Sequence, residues 1–196
     1  MGRAELYPTE TLLDAARSLV LEEGASAATV AAIAQATGAP TGSIYHRFGS
    51  IDELLTAMWV RAVRRSQSEF AAAAANDDPL EAGVGAALSV YDFCVDDPGD
   101  GRLLLSLRRE DLVRGPLPPA EVAELADLNE PVKRVISDLA RRLYGRPSRS
   151  AIDRVLLAVF DLPHGAVRRP LLAGQRPSTG RRKALAVAVR AALADV

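Results

Sequence analysis

The run Thr41-Gly42-Ser43-Ile44-Tyr45-His46-Arg47-Phe48 gathers short hydroxyls, an imidazole and a guanidinium around two apolar residues set four apart. On a helix, Ile44 and Phe48 share one face and anchor it, while Gly42 and His46 lie opposite, flanked by Ser43, Tyr45 and Arg47. Such donors and acceptors reach a phosphate or a base edge, and a glycine lets the helix backbone come close. That face suits a DNA groove better than a protein core. Other candidate chemistry is thinner. Cys94 with His46 or His164 as base would make an enzyme, but a lone cysteine is usually a small hydrophobe, and His46 already has a place on the polar face. Gly83-Val84-Gly85 begins like a phosphate-binding loop, yet Leu88 stands where a further glycine is needed and no strand precedes it. Asp77-Asp78 and Asp96-Asp97 sit in Gly- and Pro-rich turns, where capping explains them. One cysteine and two histidines do not readily supply a structural zinc site, and no cofactor is called for.

The elements that must position the polar run are short helices. Leu12, Leu13, Ala16, Leu19 and Val20 form the apolar stripe of a first helix that Gly24 ends. Thr29 is a good N-cap for a second, with Val30, Ile33 and Ala34 on its narrow apolar face and Gly38 closing it. The turn Gly38-Ala39-Pro40 then leads into the polar run. Two short helices joined by such a turn make a helix-turn-helix, whose second helix enters the major groove. Further along, Asp78-Pro79-Leu80-Glu81 reads as a helix start, followed by Leu80, Val84, Ala87, Leu88, Tyr91 and Val95 at steps of three and four. Ser150-Ala151-Ile152-Asp153 reads as another. Pro131 interrupts the helical stretch from Glu121 to Tyr144, which is either two helices or one kinked helix. Alternation at period two is missing throughout, so the expected class is all-α.

Composition narrows the functions available. The 196 residues are 48% hydrophobic and 25% charged, enough for one compact helical protein or two small lobes. Twenty-four Lys and Arg against 25 Asp and Glu leave a formal charge of -1, so any DNA affinity must be local. Residues 1–65 hold six Arg and seven acids, and phosphate contacts from hydroxyls, backbone N–H groups and helix N-termini must carry more than usual. The apolar runs fall far short of a membrane span, and an N-terminus with Arg3 and Glu5 is no signal peptide. A cytoplasmic protein without membrane partners is expected.

Leu12-Leu13-Asp14-Ala15-Ala16, Gly24, Thr29 to Gly38, Thr41 to Tyr45, Phe48 and Asp52-Glu53-Leu54-Leu55, taken in register, resemble the TetR (tetracycline-repressor-like) family of transcriptional regulators. The resemblance covers about the first 55 residues. It implies a three-helix DNA-binding lobe followed by a larger helical lobe. Thr29, Thr41, Gly42, Ser43, Tyr45, His46 and Arg47 are then expected at the DNA, Tyr45 on a phosphate. It also implies a dimer on a near-palindromic double-stranded operator, released when a small-molecule effector binds among the later helices. The corresponding division is a DNA-binding domain at 1–50, a linking helix at 51–76 and an effector-binding and dimerisation domain at 77–196.

The chain departs from the family pattern at four positions. Thr37 replaces a usual alanine, Ala39 a usual valine, Pro40 the serine that caps the recognition helix, and Ile51 a lysine that reaches the DNA backbone. Thr41 is expected to take over the cap. Trp59, Tyr91, Phe93, Cys94, Leu103, Leu107, Phe160 and His164 either line an effector pocket or are ordinary core. Arg102, Arg108, Arg109, Glu110 and Asp111 form either a solvated face or, with one member turned inward, a contact for an anionic ligand. The last two helical patterns are apolar on more than one face, and Ile152, Val155, Leu156, Val159, Leu185, Val189 and Leu193 are expected at a dimer interface. The competing reading is a helical protein-interaction module that kept the DNA-binding shape; it would want apolar anchors on the outer face of 41–47.

Overall fold

The computed structural model describes residues 6–113 and 115–194; Arg3 and Glu5 lie outside them. The described residues form twelve α-helices and one π-helical turn, with no strand. The first three are α1 (Thr9–Glu23), α2 (Val30–Thr37) and α3 (Thr41–Phe48). Gly24 and Gly38 follow α1 and α2 at positive φ (90° and 72°), the left-handed region that favours glycine at a helix end. Thr29 caps α2, its hydroxyl accepting from the Ala32 N–H at 3.1 Å. Leu12, Leu13, Ala16, Val20, Ile33 and Ile44 meet Leu54, Leu55 and Met58 of α4 (Ile51–Ala73) in one core.

That core also takes two residues from much later in the chain. They are Leu103 of α6 (Pro98–Ser106) and Leu112 of α7 (Arg109–Leu112). A second core is built around α5 (Pro79–Asp96), which packs on α4, α6, α9 (Glu130–Tyr144), α11 (Leu162–Leu172) and α12 (Thr179–Leu193). Asp78 caps α5 by accepting from the Glu81 N–H at 2.9 Å, as the sequence signal requires. The Pro131 ambiguity resolves into two helices. α8 (Pro119–Asp127) ends before it, and Pro131 sits in the first turn of α9, where its missing N–H costs nothing.

The start expected at Ser150 lies two residues earlier. Ser148 caps α10 (Arg149–Leu156), its hydroxyl accepting from Ala151 at 3.3 Å. Between α10 and α11 the chain makes the π turn Leu157–Asp161, immediately before Pro163. Proline has no N–H for the carbonyl four residues back, which accounts for the loosened ladder.

The last helices lie partly inside the chain's own second core. Val155, Val159, Leu185, Val189 and Leu193 are buried in that core. Ile152 and Leu156 are only half-buried. The apolar residues these elements turn outward are instead Leu157 and Val187. No described helix is long and apolar enough to cross a membrane.

Candidate nucleic-acid interface and the cavities behind it

α3 lies with Ile44 buried beneath it and its polar residues outward. Thr41, Gly42, Tyr45 and His46 are exposed and Ser43 is half-buried. Tyr45 keeps 53% of its surface open, unusual for so large an aromatic residue, and a Cβ on Gly42 would meet nothing within 4 Å. No packing demand inside the protein therefore explains either residue.

The cap expected from Thr41 is not made. Thr41 is the first helical residue behind Pro40, and no side chain caps α3. The Ser43 hydroxyl instead donates backward to the Pro40 carbonyl at 2.9 Å. Among the described residues the Thr41 and Gly42 N–H groups thus stand at a helix start without an acceptor, the geometry in which helix N-termini hold anions. Thr29 and Tyr45 come together on one shallow groove of about 200 Å³ that also reaches Ile51 and Asp52.

Arg47 is placed differently from its neighbours. Its guanidinium is half-buried and donates to the Tyr7 carbonyl at 2.7 Å, tying α3 to the approach to α1. The other departures also have local reasons. The Thr37 hydroxyl donates to the Ile33 carbonyl at 2.7 Å and accepts from the Ala39 N–H at 3.3 Å, pinning the turn. Ala39 is buried, and Ile51 packs against the N-terminal core.

Three arginines of this lobe are committed to acids at a distance from α3. Arg17 of α1 donates to Asp100 of α6 and to Asp97 at 3.3 Å. Arg65 of α4 reaches Asp97 at 2.7 Å and Asp100 at 2.9 Å. Arg61 holds Asp14 at 2.7 Å and Glu10 at 2.8 Å, with Asp100 at 3.8 Å. Asp100 is fully buried, so this cluster sets a carboxylate among guanidinium groups across the joint between the two cores. Burial works against ionisation of Asp97, but the Asp100 N–H, Arg17 and Arg65 outweigh it and hold that carboxyl below its usual range. Nothing in the residue spacing announces the cluster, since its partners lie up to 83 positions apart.

The eight residues expected to line a pocket are not brought to one place. Trp59 and Leu107 share a cleft of about 570 Å³ between α4, the α6–α7 segment and α8, with Leu104, Arg108, Arg109, Glu110, Val122, Leu125, Ala126, Leu128 and Asn129. The Trp59 indole nitrogen is buried without an acceptor among the described residues. Leu103 belongs to the N-terminal core and Phe93 to the second. Tyr91 is buried with its hydroxyl donating to the Ser178 carbonyl at 2.8 Å. Phe160 stacks on Phe70 at 5.1 Å and meets His164 at 5.8 Å. Cys94 borders a separate cavity of about 490 Å³, and burial pushes its thiol up to about 12. A thiol held protonated is no nucleophile. The glycines Gly83 and Gly85 serve packing inside α5, a Cβ on either running into Leu193 or the Ala73 carbonyl.

Comparison with known proteins agrees with this geometry. The sequence profile of the bacterial regulatory proteins of the tetR family matches residues 12–58. Among curated protein sequences none matches. A tetR-family regulatory protein from Rhodococcus RHA1 superposes with a TM-score of 0.69 at 18% identity, over 94% of each chain. A TetR-family regulator from Marinobacter aquaeolei VT8 gives 0.73 at 14% identity over 96% of each chain. The fatty acid degradation regulator FadR from Bacillus halodurans gives 0.70 at 15% identity, over 96% of this chain and all of that one. At such identities the likeness is one of fold. Residues 12–58 thus resemble the tetR family of bacterial regulatory proteins, and along its whole length the chain has the fold of that family's solved members.

Proposed function

We propose that this protein is a DNA-binding regulator, a cytoplasmic repressor that binds a near-palindromic operator as a homodimer and leaves it when a small molecule enters the cleft at Trp59. The observation that carries the DNA reading is the outer face of α3. It exposes Tyr45, His46, Thr41 and an unhindered Gly42 next to unpartnered N–H groups. An apolar partner surface would have asked for a stripe of anchors there, and Tyr45 alone is surrounded by polar and small residues. In this reading Thr29, Ser43 and Tyr45 take phosphates, Thr41 and His46 face base edges, and Arg47 supports the register from behind.

Release follows from what the cleft wall touches. The segment that carries Leu107 to Glu110 continues into Leu112, which is buried in the core under α3. Just beyond it the Gly115 N–H donates to the Asp52 carboxylate at 2.9 Å, at the start of α4. A ligand that displaces this segment loads the DNA-binding lobe directly. The division of labour is then DNA binding at 1–50, linkage at 51–76, and effector binding and pairing at 77–196, with Leu157 and Val187 facing the second copy.

Selection of bound duplexes from a randomised pool by the purified chain tests the proposal. A near-palindrome is expected, and the Y45A/H46A double variant is expected to lose at least about tenfold in affinity for it with helicity unchanged, since each lost base or phosphate contact is worth about 1–3 kcal/mol. An asymmetric site would remove the dimer, and recovery of no sequence would remove the operator.

A further inference from the structure

We propose that the cleft between α4, the α6–α7 segment and α8 takes an apolar monocarboxylate, its charged head at Arg108 and its body against Trp59. The assignment rests on the reading of that cleft as the effector site and names the chemistry the site selects. Its walls are mainly hydrocarbon, with Trp59, Leu104, Leu107 and Leu125 among them, and about 570 Å³ suits a small organic molecule. Among the described lining residues the polar side chains are mainly donors. The Trp59 indole N–H is buried and lacks an acceptor among the described residues. Asn129 has its carbonyl oxygen engaged by Gln67 at 3.2 Å, which leaves its NH2 to donate. Glu110 is the exception among the described lining residues, and it is held by Arg109 at 2.9 Å, which offsets one positive charge and leaves the Arg108 guanidinium in excess among them.

A donor-rich, apolar cleft with one surplus guanidinium matches a ligand that only accepts and carries a single negative charge. An ammonium head would face Arg108 and leave the indole N–H unpaired. An alcohol would satisfy one donor and leave the guanidinium to water. A dianion would bring more charge than one surplus cation offsets.

Trp59 is the only tryptophan of the chain, so its emission reports on this cleft alone. The full-length protein is titrated with decanoate, decanol and decylammonium, each below its micelle concentration. Decanoate is expected to give a saturable change in emission, with decanol about tenfold weaker, the usual worth of a hydrogen bond to a charged group. R108A is expected to remove that preference and R108K to restore most of it, both with decanol binding unchanged. Equal binding of decanol, preference for decylammonium, an R108A protein that still favours decanoate, or no saturable change with decanoate overturns the assignment.

Parallel measurements on the selected operator separate the two readings. Decanoate that binds at Trp59 but leaves DNA bound removes the effector reading and keeps the ligand class. Decanol that releases DNA as well as decanoate does keeps the effector reading and removes the ligand class.

Discussion

At the scale of single residues the DNA face is poor in charge. Arg17, Arg61 and Arg65 are committed to acids at the joint between the cores, and Arg47 points back to Tyr7. Binding should therefore depend on salt less steeply than in a regulator with a lysine at the start of α4. Replacing half-buried Ile51 with lysine is expected to steepen the plot of log affinity against log salt by about 0.9 per subunit and to tighten binding at low salt. Fluorescence anisotropy on the selected operator at several salt concentrations measures this, and an unchanged slope would show that position 51 does not face a phosphate. The polar outer face of α3 could be read from sequence because it depends on periodicity within eight residues. The missing cap on α3 could not, because Pro40, Thr41 and Ser43 are all compatible with several helix starts. The Arg17–Asp100 contact could not either, since no local rule pairs residues 83 apart.

At the scale of elements, glycines decide how closely α5 approaches its neighbours. A Cβ on Gly85 would lie 2.8 Å from the Ala73 carbonyl oxygen, a backbone atom of α4 that has little room to yield. A Cβ on Gly83 would meet Leu193 Cδ1 at 2.5 Å, the end of a flexible side chain. Alanine is the better helix former by about 1 kcal/mol, and overpacking costs about 1–3 kcal/mol. G85A is thus expected to destabilise by about 1–2 kcal/mol and G83A to stay within about 1 kcal/mol of wild type. Urea unfolding of both variants distinguishes them, and equal stability would place the tight contact elsewhere. The same helix shows what the apolar pattern of the terminal elements leaves open. Arg182 pairs with Asp92 through two bonds of 2.7 Å, and Arg190 pairs with Glu81, drawing α12 onto α5 and burying Leu185, Val189 and Leu193 in the protomer. A helix apolar on several sides must be covered, but the pattern does not say whether its own chain or a second copy covers it.

At the scale of the whole molecule, the two cores are joined by the continuous α4, by Leu103 and Leu112, and by the ionic cluster at the start of α6. The cluster makes this joint sensitive to acid. Asp97 is held below its usual range in the folded protein, so the unfolded chain binds its proton more readily. Its contribution is therefore present above the unfolded pKa of about 3.9 and is lost as pH falls through the lower folded value. Asparagine caps helices as well as aspartate does, so D97N keeps the bond to the Asp100 N–H while removing the charge. D97N is expected to be less stable than wild type by a constant margin between about pH 7 and pH 5, and the margin should close as the pH is taken below about 4. Denaturant unfolding of both proteins along that series measures it. A margin that persisted to pH 3 would mean that Asp97 acts through shape alone, and the joint would then be held by Leu103, Leu112 and Asp100 without help from its charge. A margin that closes would make Asp97 an ionic tie between α6, which walls the cleft with Leu104, and the helices α1 and α4 that brace α3, so that a ligand-driven shift of α6 must work against this tie.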